Sequence, residues 1–439
     1  MSASVAQSGS GRQGVATTLV WTIGAGVALL ALGGLAGRPD VLLLGAGPVL
    51  AGVWALQFLT PRQALVDVQG DGGVEPGVMT QHVQVVAPPG TSALRLRLSR
   101  PEHGSFEALV QVSLRRELEV TAASVRTGPL RLARVEHQVI GGWGLHTGPV
   151  GTVEPDVLLV FPTARQMPAL PLPVRLRGLT GQHESRRPGD GGGLRDVHPF
   201  QPGDTQRRVD WKVTARRSPN LEQLYVRRTM ALGEASVNLV VDSRDDVGPD
   251  PLTWSGYWPI RPDDATSLDL ARQAAATVAQ GYLTVGDRVS VADLGVRRRT
   301  LRPGTGRRQL DRVLHQLSLL RPEGDPPPRV RPPQLAPGSL IYLFSTFLDP
   351  QAAELARGWR RIGHRVIAVD VMPRLRTGGL DARQWLALRV VRLEREDRLA
   401  DLAAAGIELI GWADEGSATS ALQQAARMSH RRPGTGARR

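Results

Sequence analysis

Three short stretches carry residue types from which a site could be built. Asp242-Ser243-Arg244-Asp245-Asp246 follows the apolar run Val237–Val241, and Ser345-Thr346-Phe347-Leu348-Asp349 follows the apolar run Leu340–Phe344. Both put carboxylates and hydroxyls at the carboxyl end of an expected strand, where open α/β sheets collect ligands. Gly304-Thr305-Gly306-Arg307-Arg308 has the glycines of a phosphate loop without its Lys-Ser/Thr ending, so nucleotide binding is not expected there. The chain has no cysteine, which excludes disulfides, Cys-based zinc sites, iron–sulfur clusters and a thiol nucleophile. His82, His103, His137 and His146 are scattered without metal-ligand spacing. No Ser-His-Asp arrangement can be placed by spacing, and no enzyme is expected.

Those stretches need a scaffold, and the chain is long enough to supply one. At about 100–200 residues per domain, 439 residues make two or three domains with a real core. A composition of 41% hydrophobic and 22% charged residues, with 49 Gly and 33 Pro, is globular with Pro-rich connections and is neither collagenous nor disordered throughout. The net charge of +13 comes almost wholly from arginine, Lys212 being the only lysine. We read it as compositional bias. The run Arg297-Arg298-Arg299 has few aromatics nearby to stack bases, so it suits a solvated face or a lipid contact, and no nucleic-acid partner is expected.

The elements are read from periodicity. Residues 1–14 are expected to be a disordered N-terminus, and two uncharged runs, Val15–Gly37 and Val41–Leu59, are separated by Arg38-Pro39-Asp40. Each approaches the ~20 residues a bilayer core requires, which predicts two transmembrane helices in a hairpin over 15–62. Arg12 and Arg62 flank one side of it, placing the large remainder in the cytoplasm of a bacterial cell. Residues 63–175 alternate with period two, as in Leu94-Arg95-Leu96-Arg97-Leu98, and predict a β-sandwich-like domain. Residues 176–193, with Pro188-Gly189-Asp190-Gly191-Gly192-Gly193, have linker composition. Residues 237–428 alternate strand and helix, which predicts a doubly wound parallel sheet, and 429–439 are a basic tail.

Residues 194–236 contain a more specific pattern. Pro202-Gly203-Asp204 is followed by Arg207, by Val209-Asp210-Trp211, and by Thr214-Ala215-Arg216. Pro-Gly suits the centre of a type II turn, Asp204 can cap the next turn or pair with Arg207 or Arg208, and Arg207, Asp210 and Arg216 are expected to form a charge network with Trp211 packed on the α/β domain. The segment is expected to act as a structural staple or a docking surface. The pattern resembles the signature of the domain of unknown function 58 family, with Thr214 in place of the usual Ser.

That resemblance implies membrane-anchored proteins with a von Willebrand factor A-like domain. Such domains hold Mg²⁺ through an Asp-x-Ser-x-Ser loop, a Thr from a second loop and an Asp from a third. Here Asp242 matches the first position, Arg244 and Asp246 stand where the serines should be, Thr305 matches the second loop, and Thr346 stands where the carboxylate belongs. A guanidinium beside Mg²⁺ opposes binding, so the resemblance implies a degenerate metal site with no cofactor. It also implies partners: a MoxR-type AAA+ ATPase and a transglutaminase-like membrane protein, beside the lipid met by the hairpin. The resulting expectation is a non-catalytic, membrane-anchored interaction or scaffold protein for assembly or maturation of membrane or envelope complexes. The alternative is a metal-dependent ligand-binding or adhesion module facing outside.

Overall fold

A computed structural model describes residues 17–56, 63–71, 78–100, 104–112, 114–141, 146–154, 156–167, 169–178, 181–295, 300–323 and 330–431. The segment expected to be a disordered N-terminus, Arg62, Arg297–Arg299 and most of the basic tail lie outside them. The chain divides into one unit of residues 1–124 and 129–160 and a second of 125–128 and 161–439.

In the first unit the uncharged runs form α1 (Thr17–Leu35) and α2 (Pro39–Leu56). They meet backbone to backbone through glycines: a Cβ at Gly33 would stand 2.7 Å from the Leu42 nitrogen, and one at Gly45 would stand 2.8 Å from the Gly26 oxygen. Among the described residues no helix is long and apolar enough to cross a membrane. This corrects the expectation of two transmembrane helices, and with it that of a two-span bacterial membrane protein. Absence of charge was a poor proxy for apolarity, because α2 takes Asp40 into its first turn and Pro48 into its interior, and glycines dilute both helices.

The rest of this unit is antiparallel: β1 (Leu65–Asp71), β2 (Val78–Val86), β3 (Thr91–Ser99), β4 (Ser105–Val110), β5 (Arg115–Ala123), β6 (Gly128–Arg131), β7 (Arg134–Gly141), β8 (His146–Val153) and β9 (Val157–Val160). They pair as β1-β2-β5, β4-β3-β7-β8 and β6-β9. Every second residue turns inward, so Val66, Val83 and Val85 of one sheet share a core with Leu94, Leu96, Val135 and Val139 of another.

The second unit begins with a ribbon. β10 (His183–Pro199) pairs antiparallel with β11 (Tyr225–Gly233), and α3 (Trp211–Arg217) lies in the loop joining them. The segment read as a Pro/Gly linker is therefore largely strand. Its glycines and proline sit at register shifts between Ser185 and Pro188 and between Gly189 and Leu194, where bulges absorb the extra residues.

The sheet follows: β12 (Ser236–Val241), α4 (Ser267–Thr284), β13 (Arg288–Asp293), β14 (Leu301–Gly304), α5 (Arg307–Ser318), β15 (Leu340–Ser345), α6 (Pro350–Arg361), β16 (Arg365–Asp370), α7 (Ala382–Ala404), β17 (Glu408–Gly411) and α8 (Glu415–Arg431). The strand order is β14-β13-β12-β15-β16-β17, parallel except for β14. β12 is buried at all six positions because both faces are covered: Val237, Leu239 and Val241 pack with α4, while Val240 packs with Ala352, Ala356 and Trp359 of α6. The chain leaves β12 for β13 on one side and later for β15 on the other. Their divergence makes the carboxyl ends of β12 and β15 a topological switch point.

Candidate functional site

At that switch point the strand ends converge, and each acidic side chain there meets an internal donor. Asp242 lies one residue beyond β12. Arg244 folds back on it as a fork, Nε to Oδ1 at 2.7 Å and Nη2 to Oδ2 at 2.8 Å, while Nη1 reaches Asp349 Oδ1 at 3.1 Å. Planar bidentate pairing of this kind is the strongest form of guanidinium–carboxylate bond. Ser345 Oγ donates to Asp242 Oδ2 at 2.9 Å, and Thr346 Oγ1 donates to Asp245 Oδ2 at 2.7 Å. Asp293, ending β13, accepts from Ser243 Oγ at 2.6 Å and from the Gly295 N–H at 2.9 Å. Asp246 accepts from the Leu268 N–H at the start of α4 at 3.2 Å, and Asp349 caps α6 by accepting from the Gln351 N–H at 2.8 Å.

The loop after β15 is held from outside by α7. Phe347 is fully buried with φ of 55°, a left-handed conformation costly for a non-glycine residue. Two arginines clamp the backbone around it: Arg395 Nε donates to the Thr346 carbonyl at 2.7 Å, and Arg398 Nη1 donates to the Leu348 carbonyl at 2.8 Å. Arg395 also pairs with Asp370 at the end of β16. Sequence reading missed both arginines. Their spacing of three on one helix is the only local signal, since it puts both on one face.

The electrostatics follow from this enclosure. Burial works against the charge on Arg244, but Asp242 and Asp349 more than offset it and leave the guanidinium firmly protonated. Burial, and next the neighbouring Asp242 charge, push the Asp245 carboxyl up to about 6. Burial raises Asp246 as well.

These residues do not fit a divalent cation. The guanidinium takes both oxygens of Asp242, and the Thr346 hydroxyl is committed to Asp245. Thr305 is far from the others in the fold: β14 runs antiparallel, Gly304 pairs with Val289 near the start of β13, and Thr305 therefore follows at the amino edge of the sheet. Among the described residues no group of three or more His, Asp or Glu side chains is placed to hold a metal ion.

The other predicted residues gather at the tip of the β10–β11 ribbon. Pro202 and Gly203 form the expected turn, with Gly203 at φ of 99° and the Asp204 N–H donating to the Gln201 carbonyl at 3.0 Å. Asp204 accepts from the Gln201 N–H at 2.9 Å and lies 3.5 Å from His198 and 3.7 Å from Arg228. Asp210 caps α3 through the Val213 N–H at 3.1 Å and pairs with Arg227 at 2.9 Å. The expected network of Arg207, Asp210 and Arg216 is corrected accordingly: Arg227 comes from the facing strand, while Arg207, Ala215 and Arg216 are exposed. Trp211 is 63% exposed rather than packed. What anchors the tip is Thr214, fully buried, whose Oγ1 accepts from the Tyr225 N–H at 3.0 Å.

The cap bond and the Arg227 pair hold the Asp210 carboxyl below its ordinary value. A carboxyl with a depressed folded-state pKa stabilises above its unfolded pKa, and that contribution is lost as pH falls through the folded value. Asp210→Ala is expected to lower the melting temperature at pH 7, with the difference from wild type vanishing at strongly acid pH in paired thermal melts.

Residues 196–376, from the ribbon through β16, match a family model described as "Protein of unknown function DUF58". The chain carries a DUF58 domain. It includes both the ribbon tip and the switch-point cluster, whereas α7, with Arg395 and Arg398, lies beyond the matched DUF58 residues. No curated protein and no solved structure matches, so nothing supports the von Willebrand factor A-like part of the resemblance.

Proposed function

We propose that this chain is a non-catalytic interaction protein that docks a protein partner on the tip of its DUF58 ribbon. The observation that carries the reading is Trp211, 63% exposed on a tip whose backbone is otherwise pinned by Asp210 and Thr214. Phe200 and Leu221 add exposed apolar surface to the same loop, and Arg207, Arg216 and Lys212 surround it with positive charge. An exposed aromatic on a rigid platform with a basic rim is the composition of a binding hot spot, because little entropy is lost when it is covered. At the carboxyl ends of β12 and β15, the internal arginine argues for a closed, structural cluster and against a cation-dependent ligand site.

The partner we propose is a MoxR-type AAA+ ATPase acting in assembly or maturation of larger complexes, a reading that rests on the family resemblance. The test is retention of such an ATPase by the full chain, with ATP hydrolysis measured alongside. Trp211→Ala is expected to reduce retention about tenfold while leaving the melting temperature unchanged, since the side chain packs on little. Equal retention by wild type and Trp211→Ala would remove the ribbon tip as the docking surface.

A further inference from the structure

Helix α7 turns one apolar ridge to solvent. Residues two apart on an α-helix are about 200° apart, so Leu386, Leu393 and Ala400 lie opposite Leu388, Arg395 and Leu402. The latter three form the inner seam: Leu388 and Leu402 are buried and Arg395 bonds the Thr346 carbonyl. On the outer ridge Leu386 is 60% exposed and Leu393 53%, with Val390 exposed between them. Trp385, also half exposed, carries the Arg389 guanidinium 5.9 Å from its ring centre. Exposed charge along the helix is segregated: Arg383, Arg389 and Arg392 lie before Leu393, and Glu394, Glu396, Asp397 and Asp401 lie after it, while Arg395 and Arg398 of the second half are turned inward onto the loop after β15.

We propose that α7 pairs with α7 of a second copy of this chain, antiparallel about a two-fold axis at Leu393. In such an isologous contact a residue a given distance before the axis meets one the same distance after it. Leu393 then meets Leu393 once, on the axis, while Leu386 covers the small Ala400 and Arg389 faces Asp397, these two contacts each occurring twice. A parallel pair would set Arg389 against Arg389 and Asp397 against Asp397, which like-charge repulsion disfavours. An acidic foreign helix would match only the first half of α7 and be repelled by the second. The segregated charge therefore selects an antiparallel copy of α7 itself, in the way flanking charges select partner and orientation in coiled coils.

The absence of cysteine makes the test clean. Full-length Leu393→Cys, treated with a bis-maleimide linker of about 8 Å matching the spacing of packed helices, is expected to form a covalent dimer. Leu386→Cys should react at least about tenfold less, because two such sites lie roughly 20 Å apart along an antiparallel pair. In sedimentation, Arg389→Glu and Asp397→Arg should each weaken the dimer about tenfold, and the double exchange should restore it to within about threefold. All these positions are exposed, and unchanged circular dichroism melts would show that the variants fold. A wild-type monomer at about 50 µM, equal cross-linking at 386 and 393, or failure of the double exchange to restore association would each overturn the proposal.

Discussion

Arg244→Ala is expected to destabilise the protein by about 3–5 kcal/mol, measured by urea denaturation at pH 7, because it leaves a buried carboxylate without its counter-ion. The side chains of Arg244 and Asp242 are 7% and 3% exposed, so water cannot replace the guanidinium without opening the cluster. The Ser345 hydroxyl and the backbone N–H of residue 244, 3.4 Å from Oδ1, would remain as uncharged donors to Asp242. Arg244→Lys keeps the charge but loses the fork and the reach to Asp349, and is expected to fall between alanine and wild type. Replacing both partners by apolar residues of similar volume should recover most of the loss, since the desolvation cost disappears together with the attraction. A loss below about 1 kcal/mol for Arg244→Ala would place this pair among solvated surface bridges and refute the closed cluster.

Asp245→Asn is expected to do the reverse and stabilise the protein above neutral pH. The folded carboxyl, raised to about 6 by burial and the Asp242 charge, holds a proton that the unfolded chain releases near pH 4. Across that window the folded state binds more protons, so the contribution of Asp245 to stability declines as pH rises from about 4 to about 6 and is a net penalty above. Asparagine keeps an acceptor for the Thr346 hydroxyl and carries no charge. The expected gain is about 2–3 kcal/mol at pH 8, shrinking to nothing near pH 4, read from denaturation curves at the two pH values. A pH-independent effect would mean that Asp245 does not titrate in this window.

These two residues illustrate how far local sequence reaches. Asp242, Arg244 and Asp245 stand together in the chain after an apolar run, and their position at a strand end is legible from periodicity alone: Val237–Val241 lies within β12, buried throughout. Their partners are not legible. Asp349 and Ser345 come from 105 and 103 residues away, and whether Arg244 repels a cation or replaces one depends on that convergence. Only their spacing of three marks Arg395 and Arg398 among the arginines of α7, yet one face of that helix holds the Thr346–Leu348 backbone.

The misread segments have equally specific causes. Thr305 was aligned by motif, but the antiparallel β14 carries it to the opposite edge of the sheet. Residues 183–193 have linker composition, yet pairing with β11 accommodates their glycines in bulges. Trp211 was expected to pack on the α/β domain, and the ribbon instead carries it into solvent. The N-terminal runs were judged by missing charge and by length, whereas spanning ability depends also on mean apolarity, which their glycines lower.

Sequence by itself determined the local periodicities, the Pro202-Gly203 turn and the signature that marks the DUF58 domain, because each depends on neighbours within a few residues. Tertiary structure alone decided that an arginine fills the switch point, that Asp210 pairs with Arg227, and which face of α7 is left uncovered. Each of these is a contact between segments distant in the chain, and such partners are selected by the geometry of packing, which no local window contains.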